Sequence, residues 1–218
     1  MLGDRNLREI IEKTFDRLYN DLNIRIDKED SNSIHAMEAS MCTRLAYYER
    51  RDPLPVDNET RMSILISHGM RKALNNAKGE YKVDSLTLQI DADMVIADEF
   101  IVSFEVVPKL PEIPHPRHML YLNACLFALG KQEGMLVYMT GDGKTIEFSI
   151  TKNNKMFEEI VRRARVLSTL LKENKIPIVE PSDLCLSCKY YSRCYAREKM
   201  KEGSGDLFSD LFGKLKIK

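Results

Sequence analysis

Residues 83–107 read VDSLTLQIDADMVIADEFIVSFEVV, and this stretch decides the fold. Apolar side chains occupy the even positions from Leu86 to Ile96, a period of two that is typical of a β-strand with one buried face. Residues 97–100 are expected to turn, and residues 101–107 are again rich in β-branched and aromatic side chains. The stretch therefore predicts two neighbouring strands.

The segments on either side predict helices and a further hairpin. The sequence pattern indicates helices in segments 6–22, 34–50, 59–77, 117–130 and 155–174. Two β-rich runs, Met135–Thr140 and Thr145–Ile150, flank Gly141-Asp142-Gly143, which predicts a tight turn. This order of elements predicts an α/β fold with a mixed central β-sheet flanked by helices.

Three carboxylates belong to the predicted central strands. Asp91 and Asp93 lie on the odd-numbered face of the first strand, and Glu105 points away from its apolar neighbours in the second. If the strands pair, the carboxylates converge on one side of the sheet, where they repel one another unless a cation binds between them. Oxygen ligands of this kind suit Mg²⁺ or Mn²⁺. The alternative is that the three residues form the solvated face of a half-exposed sheet.

Cysteines cluster near the C-terminus with metal-ligand spacing. Cys185, Cys188 and Cys194 form a C-x₂-C-x₅-C pattern, and because three ligands are too few for a closed site, a fourth must come from elsewhere in the chain. An iron–sulfur cluster, a zinc ion and unligated thiols all remain open from spacing alone. Cys125 lies in an apolar helical segment and is expected to be a small buried hydrophobe.

These motifs together resemble a known family. The run IDADMVIADEFIVSFEVVPK at 90–109 follows a predicted helix that carries His68, and CTRLAYYER at 42–50 precedes the C-terminal cysteines. Over about residues 34–197 the chain resembles RecB-like nucleases with a four-cysteine iron–sulfur cluster, most of all the CRISPR-associated RecB-like exonucleases. Their fold is the restriction-endonuclease-like PD-(D/E)XK core.

The resemblance implies a metal-dependent deoxyribonuclease that cleaves DNA phosphodiester bonds in single strands or at ends. It implies that His68, Asp93 and Glu105 bind Mg²⁺ or Mn²⁺, with Asp93 and Glu105 in the catalytic step. Asp93 fits the family better than Asp91, since apolar residues follow it; Asp91 is retained as an accessory residue. It further implies a 4Fe–4S cluster that joins the N- and C-terminal segments, bound by Cys42, Cys185, Cys188 and Cys194.

The chain departs from the family pattern at two places. Val107 stands where the family has a lysine two residues after the glutamate, so Lys109, about 7 Å further along the strand, is the candidate catalytic lysine. Tyr121 and Cys125 stand where the family has a glutamine and a tyrosine, and Tyr121 is kept as an accessory residue. The missing lysine leaves as an alternative a weakened or inactive nuclease-fold subunit that binds DNA or assembles a complex. The cysteine spacing leaves a further alternative, a zinc-stabilised structural protein unrelated to DNA.

Charge and composition limit the partners. The chain has 33 basic and 33 acidic residues, so DNA must bind a local basic surface. Candidates are Arg162, Arg163 and Arg165, with Lys172 and Lys175, and the basic residues and tyrosines around the cysteines, which could equally be solvated or packed. With no apolar run of about 20 residues and no signal-peptide pattern, we expect a cytoplasmic protein that does not bind membranes.

The predicted domain organisation is one nuclease domain, 1–202, followed by an apolar-charged tail, 203–218. Within the domain we expect an N-terminal helical region at residues 1–80, a sheet core at 81–175 and a cysteine segment at 176–202. A homo-oligomer or a DNA-processing complex is a further possible assembly.

We expect replacement of Cys42 or Cys194 to lower the melting temperature and expose hydrophobic surface, because a cluster shared by these cysteines closes a chain loop of about 140 residues. Thermal melting and binding of a hydrophobic dye measure both effects. A cysteine variant as stable as the wild type contradicts the shared cluster.

Overall fold

The computed structural model describes residues 7–22, 24, 26–56, 58–74, 76–182, 185 and 188–195. The side chains at 7, 8, 11, 22, 58–60, 63, 68 and 71 also lie outside the description. The chain divides into two compact units, Met1–Pro177 and Ile178–Lys218. Among the described helices, none combines the length and the apolarity needed to span a membrane.

The first unit contains the helices and strands that form the fold. In chain order they are α1 (Leu7–Leu22), β1 (Ser33–His35), α2 (Ala36–Ser40), α3 (Thr43–Arg51), α4 (Asn58–Ala73), β2 (Ala77–Val83), β3 (Leu86–Ala92), β4 (Met94–Ile96), β5 (Phe100–Val106), α5 (Pro116–Ala128), β6 (Glu133–Met139), β7 (Thr145–Thr151) and α6 (Asn154–Lys172).

The strands form two mixed sheets, ordered β1-β3-β2 and β4-β5-β6-β7. β1 runs parallel to β3 and β5 runs parallel to β6, while the other pairs are antiparallel. Helices α5 and α6 pack against the strands. The predicted α/β class with mixed sheets flanked by helices is therefore confirmed.

The strand predicted to run without interruption to Ile96 is broken at Asp93, between β3 and β4. The pairing partners change at this point, because β3 pairs with β1 and β2 whereas β4 pairs with β5. At the break, the Asp93 carboxylate accepts the backbone N–H of Phe104 at 2.7 Å. The break explains why the structure has two sheets where the sequence predicted one.

The period-two pattern predicted the buried face of β3 correctly, but it was wrong in β4, where Ile96 is 44% exposed. The even-numbered side chains of β3 are all buried, from Leu86 to Ala92. A Cβ at Gly134 of β6 would lie 2.8 Å from the carbonyl oxygen of Ile101 on the neighbouring strand β5, and 3.1 Å from Leu122 Cδ1 on α5. Gly134 therefore allows the close approach of the β5 backbone at this position, and a larger residue would also press on Leu122 of α5.

Two segments differ from the sequence-based expectation. The predicted helix 34–50 contains β1, α2 and α3, and the predicted helix 59–77 ends at Ala73 before β2. The N-terminal region, residues 1–80, thus also contains β1 and the start of β2. The difference arises because β1 and β2 are fixed by pairing with β3, a non-local contact that overrides local helical pattern.

A buried ion pair fixes the segment that leads into β1. Arg50 donates Nε and Nη2 to the Glu38 carboxylate, each at 2.7 Å, and donates further hydrogen bonds to the carbonyl oxygens of Asp27, Asp30 and Ser33. Glu38 in turn accepts the backbone N–H of His35 at 2.9 Å. The guanidinium therefore connects α3, α2 and the chain before β1.

We expect Arg50→Ala to lower the free energy of unfolding by about 3–5 kcal/mol, because it leaves the Glu38 carboxylate buried without its cation. Urea unfolding measures the change. The control is Arg162→Ala, since Arg162 pairs with Glu159 on the exposed side of α6 and should cost less than about 1 kcal/mol. Equal losses in the two variants would contradict the structural role of Arg50.

Candidate active site

Asp93 occupies the break between β3 and β4 and is 2% exposed. Its Oδ2 accepts the backbone N–H of Phe104 at 2.7 Å and the hydroxyl of Ser103 at 3.3 Å. Both donors belong to β5. The Asp93 carboxylate is therefore held against β5 by the backbone itself.

Glu105 lies on the same face of β5 as the carboxylate of Asp93. Ser103, which contacts Asp93, and Glu105 are two residues apart on the strand and so point to the same side. The register of β5 and β6 sets Glu105 opposite Tyr138. The Glu105 side chain is 24% exposed, so this pair of carboxylates is open to solvent at Glu105.

His118 and Tyr138 border the Glu105 carboxylate. Arg117 Nε donates to His118 Nε2 at 2.9 Å, and His118 Nδ1 lies 3.0 Å from Tyr138 Oη. Because Nε2 accepts a hydrogen bond, the imidazole proton is on Nδ1, which donates to Tyr138. Burial, together with the nearby charges of Arg117 and His115, lowers the pKa of His118 to about 3.

His118 is consequently neutral at pH 7 and does not neutralise Glu105, although its Nε2 lies 3.6 Å from Glu105 Oε2. The Glu105 charge also acts on Tyr138: burial is the main cause that raises the pKa of the Tyr138 hydroxyl, and the nearby glutamate adds to it. The sequence carries one signal for the cluster of His118, Tyr138 and Glu105, namely the spacing of His115 and His118 at the start of α5. No sequence signal indicated Tyr138.

Asp91 has different partners from Asp93. Its carboxylate oxygens lie 3.8 Å from His35 Nε2 and 3.6 Å from Lys78 Nζ, on β1 and β2. Tyr121 Oη donates to the main-chain carbonyl of Asp91 at 2.6 Å. The two accessory residues are thus in contact, and Asp93 is the aspartate bonded to the strand that carries Glu105.

His35 is buried beside Asp91, and the sequence pattern did not indicate it. Its Nδ1 accepts the backbone N–H of Met37 at 3.2 Å, so its proton is on Nε2, directed toward Asp91. An imidazole in this state offers no lone pair at Nε2 for a metal. At 3.8 Å from Asp91 Oδ2, His35 Nε2 is too far away to form a hydrogen bond, and it has no hydrogen-bond partner among the described residues.

The remaining predicted site residues are placed as follows. The backbone of His68 lies in α4, which packs against β5, but its side chain is outside the described residues. Lys109 is exposed and lies beyond Val106, the last residue of β5. Within the described portion of the chain, no three His, Cys, Asp or Glu side chains are grouped closely enough to hold a metal ion.

The second unit contains the C-terminal cysteines. Cys185 Sγ accepts the backbone N–H of Ser182 at 3.4 Å. The pKa of the Tyr195 hydroxyl is raised by burial first and then by Cys185, with smaller contributions from Tyr191 and Cys194. Cys42, in the first unit, is half-buried at the N-terminus of α3. All five cysteines lie within the described residues, and none forms a disulfide.

The fifth cysteine, Cys125, belongs to α5 and is buried there among apolar neighbours of the same helix. This position confirms the prediction of a small buried hydrophobe.

Much of the predicted basic surface has internal partners. On α6, Arg162 pairs with Glu159, Arg163 donates to the carbonyl oxygens of Ala39 and Met41, and Arg165 pairs with Asp84. In the second unit, Lys189 and Arg193 lie over the ring of Tyr190, which is buried. Arg197, Lys199 and Lys201 lie outside the described residues.

No family model and no curated protein matches this chain. Among solved structures, SSO0001 is 16% identical with a TM-score of 0.58, over 83% of this chain and 92% of that chain. An alkaline exonuclease (LHK-Exo) from Laribacter hongkongensis is 9% identical with a TM-score of 0.45, over 73% and 93%. Its complex with dAMP is 11% identical with a TM-score of 0.44, over 76% and 94%. The chain shares the fold of SSO0001.

We expect His118 to make stability depend on pH. Because its pKa is about 3 in the folded chain and about 6.5 in the unfolded chain, the unfolded state takes up a proton first as pH falls below 6.5. The stability present above pH 6.5 is therefore lost progressively toward pH 3, by about 2 kcal/mol at pH 5.

Urea unfolding of the wild type and His118→Gln at pH 7.5 and pH 5, without added divalent ions, measures this effect. The stability advantage of the wild type over the variant should shrink by about 2 kcal/mol between the two pH values. A difference that does not change with pH contradicts a buried neutral His118.

Proposed function

We propose that this chain is a metal-dependent DNA nuclease of the RecB-like iron–sulfur type, which cleaves phosphodiester bonds in single strands or at DNA ends. The observation that carries the proposal is the attachment of the Asp93 carboxylate to β5 by the Phe104 N–H at 2.7 Å, on the face that carries Glu105. The resemblance of the sequence to RecB-like nucleases supplies the substrate class.

The donor chemistry supports Mg²⁺ or Mn²⁺ at this place. Asp93 and Glu105 present carboxylate oxygens, the ligands these cations prefer, and His68 is the proposed third ligand. Two carboxylates on one largely buried face repel each other, and a cation removes that repulsion. When bound, the cation lowers the pKa of an attacking water and stabilises negative charge on the phosphate.

The chain's own residues would orient the reaction. Asp93 is positioned by a backbone hydrogen bond, so its placement does not depend on a flexible side-chain contact. Glu105 is partly exposed and can both bind the cation and accept a hydrogen bond from the water. His118 is held by Tyr138 at Nδ1, and its Nε2, which lies beside Glu105, accepts the Nε–H of Arg117.

We also propose that Cys42, Cys185, Cys188 and Cys194 bind a 4Fe–4S cluster. The second unit supports this because Cys185 and Cys194 both contribute to the raised pKa of the Tyr195 hydroxyl, and a backbone N–H already donates to the Cys185 sulfur. Thiol ligands fit iron–sulfur or zinc equally. Iron and sulfide analysis of anaerobically purified protein separates them: zinc with no sulfide contradicts the cluster.

A second function is favoured by one observation. Val107 occupies the lysine position, and Lys109 lies exposed beyond the end of β5. These positions suit a nuclease-fold subunit that binds DNA or assembles a complex with little or no cleavage.

We expect the anaerobically purified protein to cut labelled DNA with Mn²⁺ and to stop with EDTA. Asp93→Asn and Glu105→Gln should each lower the cleavage rate at least about a hundredfold, because each removes a charged ligand. Asp91→Asn should have a smaller effect, since Asp91 contacts His35 and Lys78. The matched control is Glu133→Gln, an exposed glutamate at the start of β6.

The outcomes separate the two functions. Equal cutting by the wild type and Glu105→Gln would mean a contaminating nuclease and would refute the site. DNA binding without Mn²⁺-dependent cutting would favour the assembly subunit. Neither binding nor cutting would refute both.

A further inference from the structure

The candidate active site contains two carboxylates, yet its substrate is a polyanion. A phosphodiester carries one negative charge, and attack by water adds a second at the reacting phosphorus. Glu105 and Asp93 repel that charge unless cations offset it. The residue two positions after Glu105 is the apolar Val107, and both Val107 and Lys109 lie beyond the end of β5 at Val106. A positive side chain that assists the metal ion at the phosphate would therefore have to come from another element.

Arg117 reaches the site from the first turn of α5. Its Nε lies 2.9 Å from His118 Nε2, which lies 3.6 Å from Glu105 Oε2. The sum of these two steps, 6.5 Å, is the upper limit of the distance between Arg117 Nε and Glu105 Oε2. The charges of Arg117 and Glu105 also act on the same hydroxyl, that of Tyr138.

The guanidinium of Arg117 is fixed at one end only. Nε is bonded to His118, whereas neither Nη atom forms a hydrogen bond or ion pair with any residue that the structure describes. Arg50 differs, because its Nε, Nη1 and Nη2 are all bonded to a buried carboxylate and to carbonyl oxygens. Arg117 thus presents four N–H groups at a half-buried position, a geometry that suits bidentate binding of phosphate oxygens.

We propose that Arg117 binds the scissile phosphate of DNA and stabilises the charge that develops on it, in the role that a lysine at position 107 would otherwise have. The inference rests on the proposed nuclease function. Tyr138 holds His118 at Nδ1, and His118 holds Arg117 at Nε, so His118 is a positioning residue. Tyr138 fixes the far end of the same chain of hydrogen bonds.

The test compares Arg117→Gln with the wild type in single-turnover cleavage of labelled DNA with Mn²⁺. The rate should fall about a hundredfold while the melting temperature stays within the range of the control. The Mn²⁺ concentration for half-maximal rate should not rise, because loss of a positive charge does not weaken cation binding. Added ethylguanidinium should partly restore cleavage by Arg117→Ala. The control is Arg51→Gln, an exposed arginine on α3 that donates to the carbonyl oxygen of Leu171.

Binding supplies a readout that does not need cleavage. With Ca²⁺ in place of Mn²⁺, Arg117→Gln should lower the slope of log affinity against log salt concentration by about one, as expected for one lost phosphate contact. Arg51→Gln should leave the slope unchanged.

The outcomes distinguish this inference from the proposed function. If the wild type cuts, Glu105→Gln does not, and Arg117→Gln cuts and binds like the wild type, the nuclease stands and the role of Arg117 is overturned. Loss of cleavage in Lys109→Gln but not in Arg117→Gln also overturns it and assigns the cation to Lys109. If the wild type does not cut, the proposed function fails. If the slope of log affinity against log salt concentration is then also unchanged in Arg117→Gln, Arg117 does not contact a phosphate.

Discussion

The hydrogen bond from the Phe104 amide to the Asp93 carboxylate, 2.7 Å long, sets the geometry of both the fold and the candidate site. The bond lies at the point where the chain leaves the sheet of β3 and enters the sheet of β4 and β5. The same contact brings a buried carboxylate to the strand face that carries Glu105. The break between β3 and β4 thus positions Asp93, whose carboxylate is fixed by a backbone donor and not by a flexible side chain.

Around this contact the chain uses its arginines in two ways. Arg50 and Arg163 are enclosed by carboxylate and carbonyl oxygens and connect segments that are far apart in sequence. Arg117 is hydrogen-bonded only at Nε among the described residues. Since all three carry the same charge, the number of internal hydrogen bonds to each distinguishes an arginine that maintains the fold from one placed to meet a ligand.

The sequence predicts the buried face of β3 well, because alternation of apolar residues assigns each side chain to one side. That is why the positions of Asp93 and Glu105 could be foreseen from residues 86–106. The same alternation fails in β4, where Ile96 is 44% exposed. The sequence does not predict β1, since three residues acquire strand geometry only by pairing with β3. It also does not predict the contact of His118 with Glu105, because a helix and a strand separated by a proline-rich loop meet only through tertiary packing. The sequence also could not show whether Lys109 reaches the site. Pro108 follows the end of β5, and Lys109 therefore lies outside the sheet.

The parallel pairing of β5 with β6 requires a crossover, and α5 provides it. Residues 107–115 connect the end of β5 to the start of that helix and contain prolines at 108, 111 and 114. The backbone in this connection has few conformations available, since each proline fixes its own φ and restricts the residue before it. The connection therefore acts as a spacer of fixed length between the Glu105 carboxylate on β5 and the His118 imidazole on α5. Insertions would be tolerated far better at the glycine-containing turn between β6 and β7 than in this spacer, where one added residue would change the reach of the helix across the sheet.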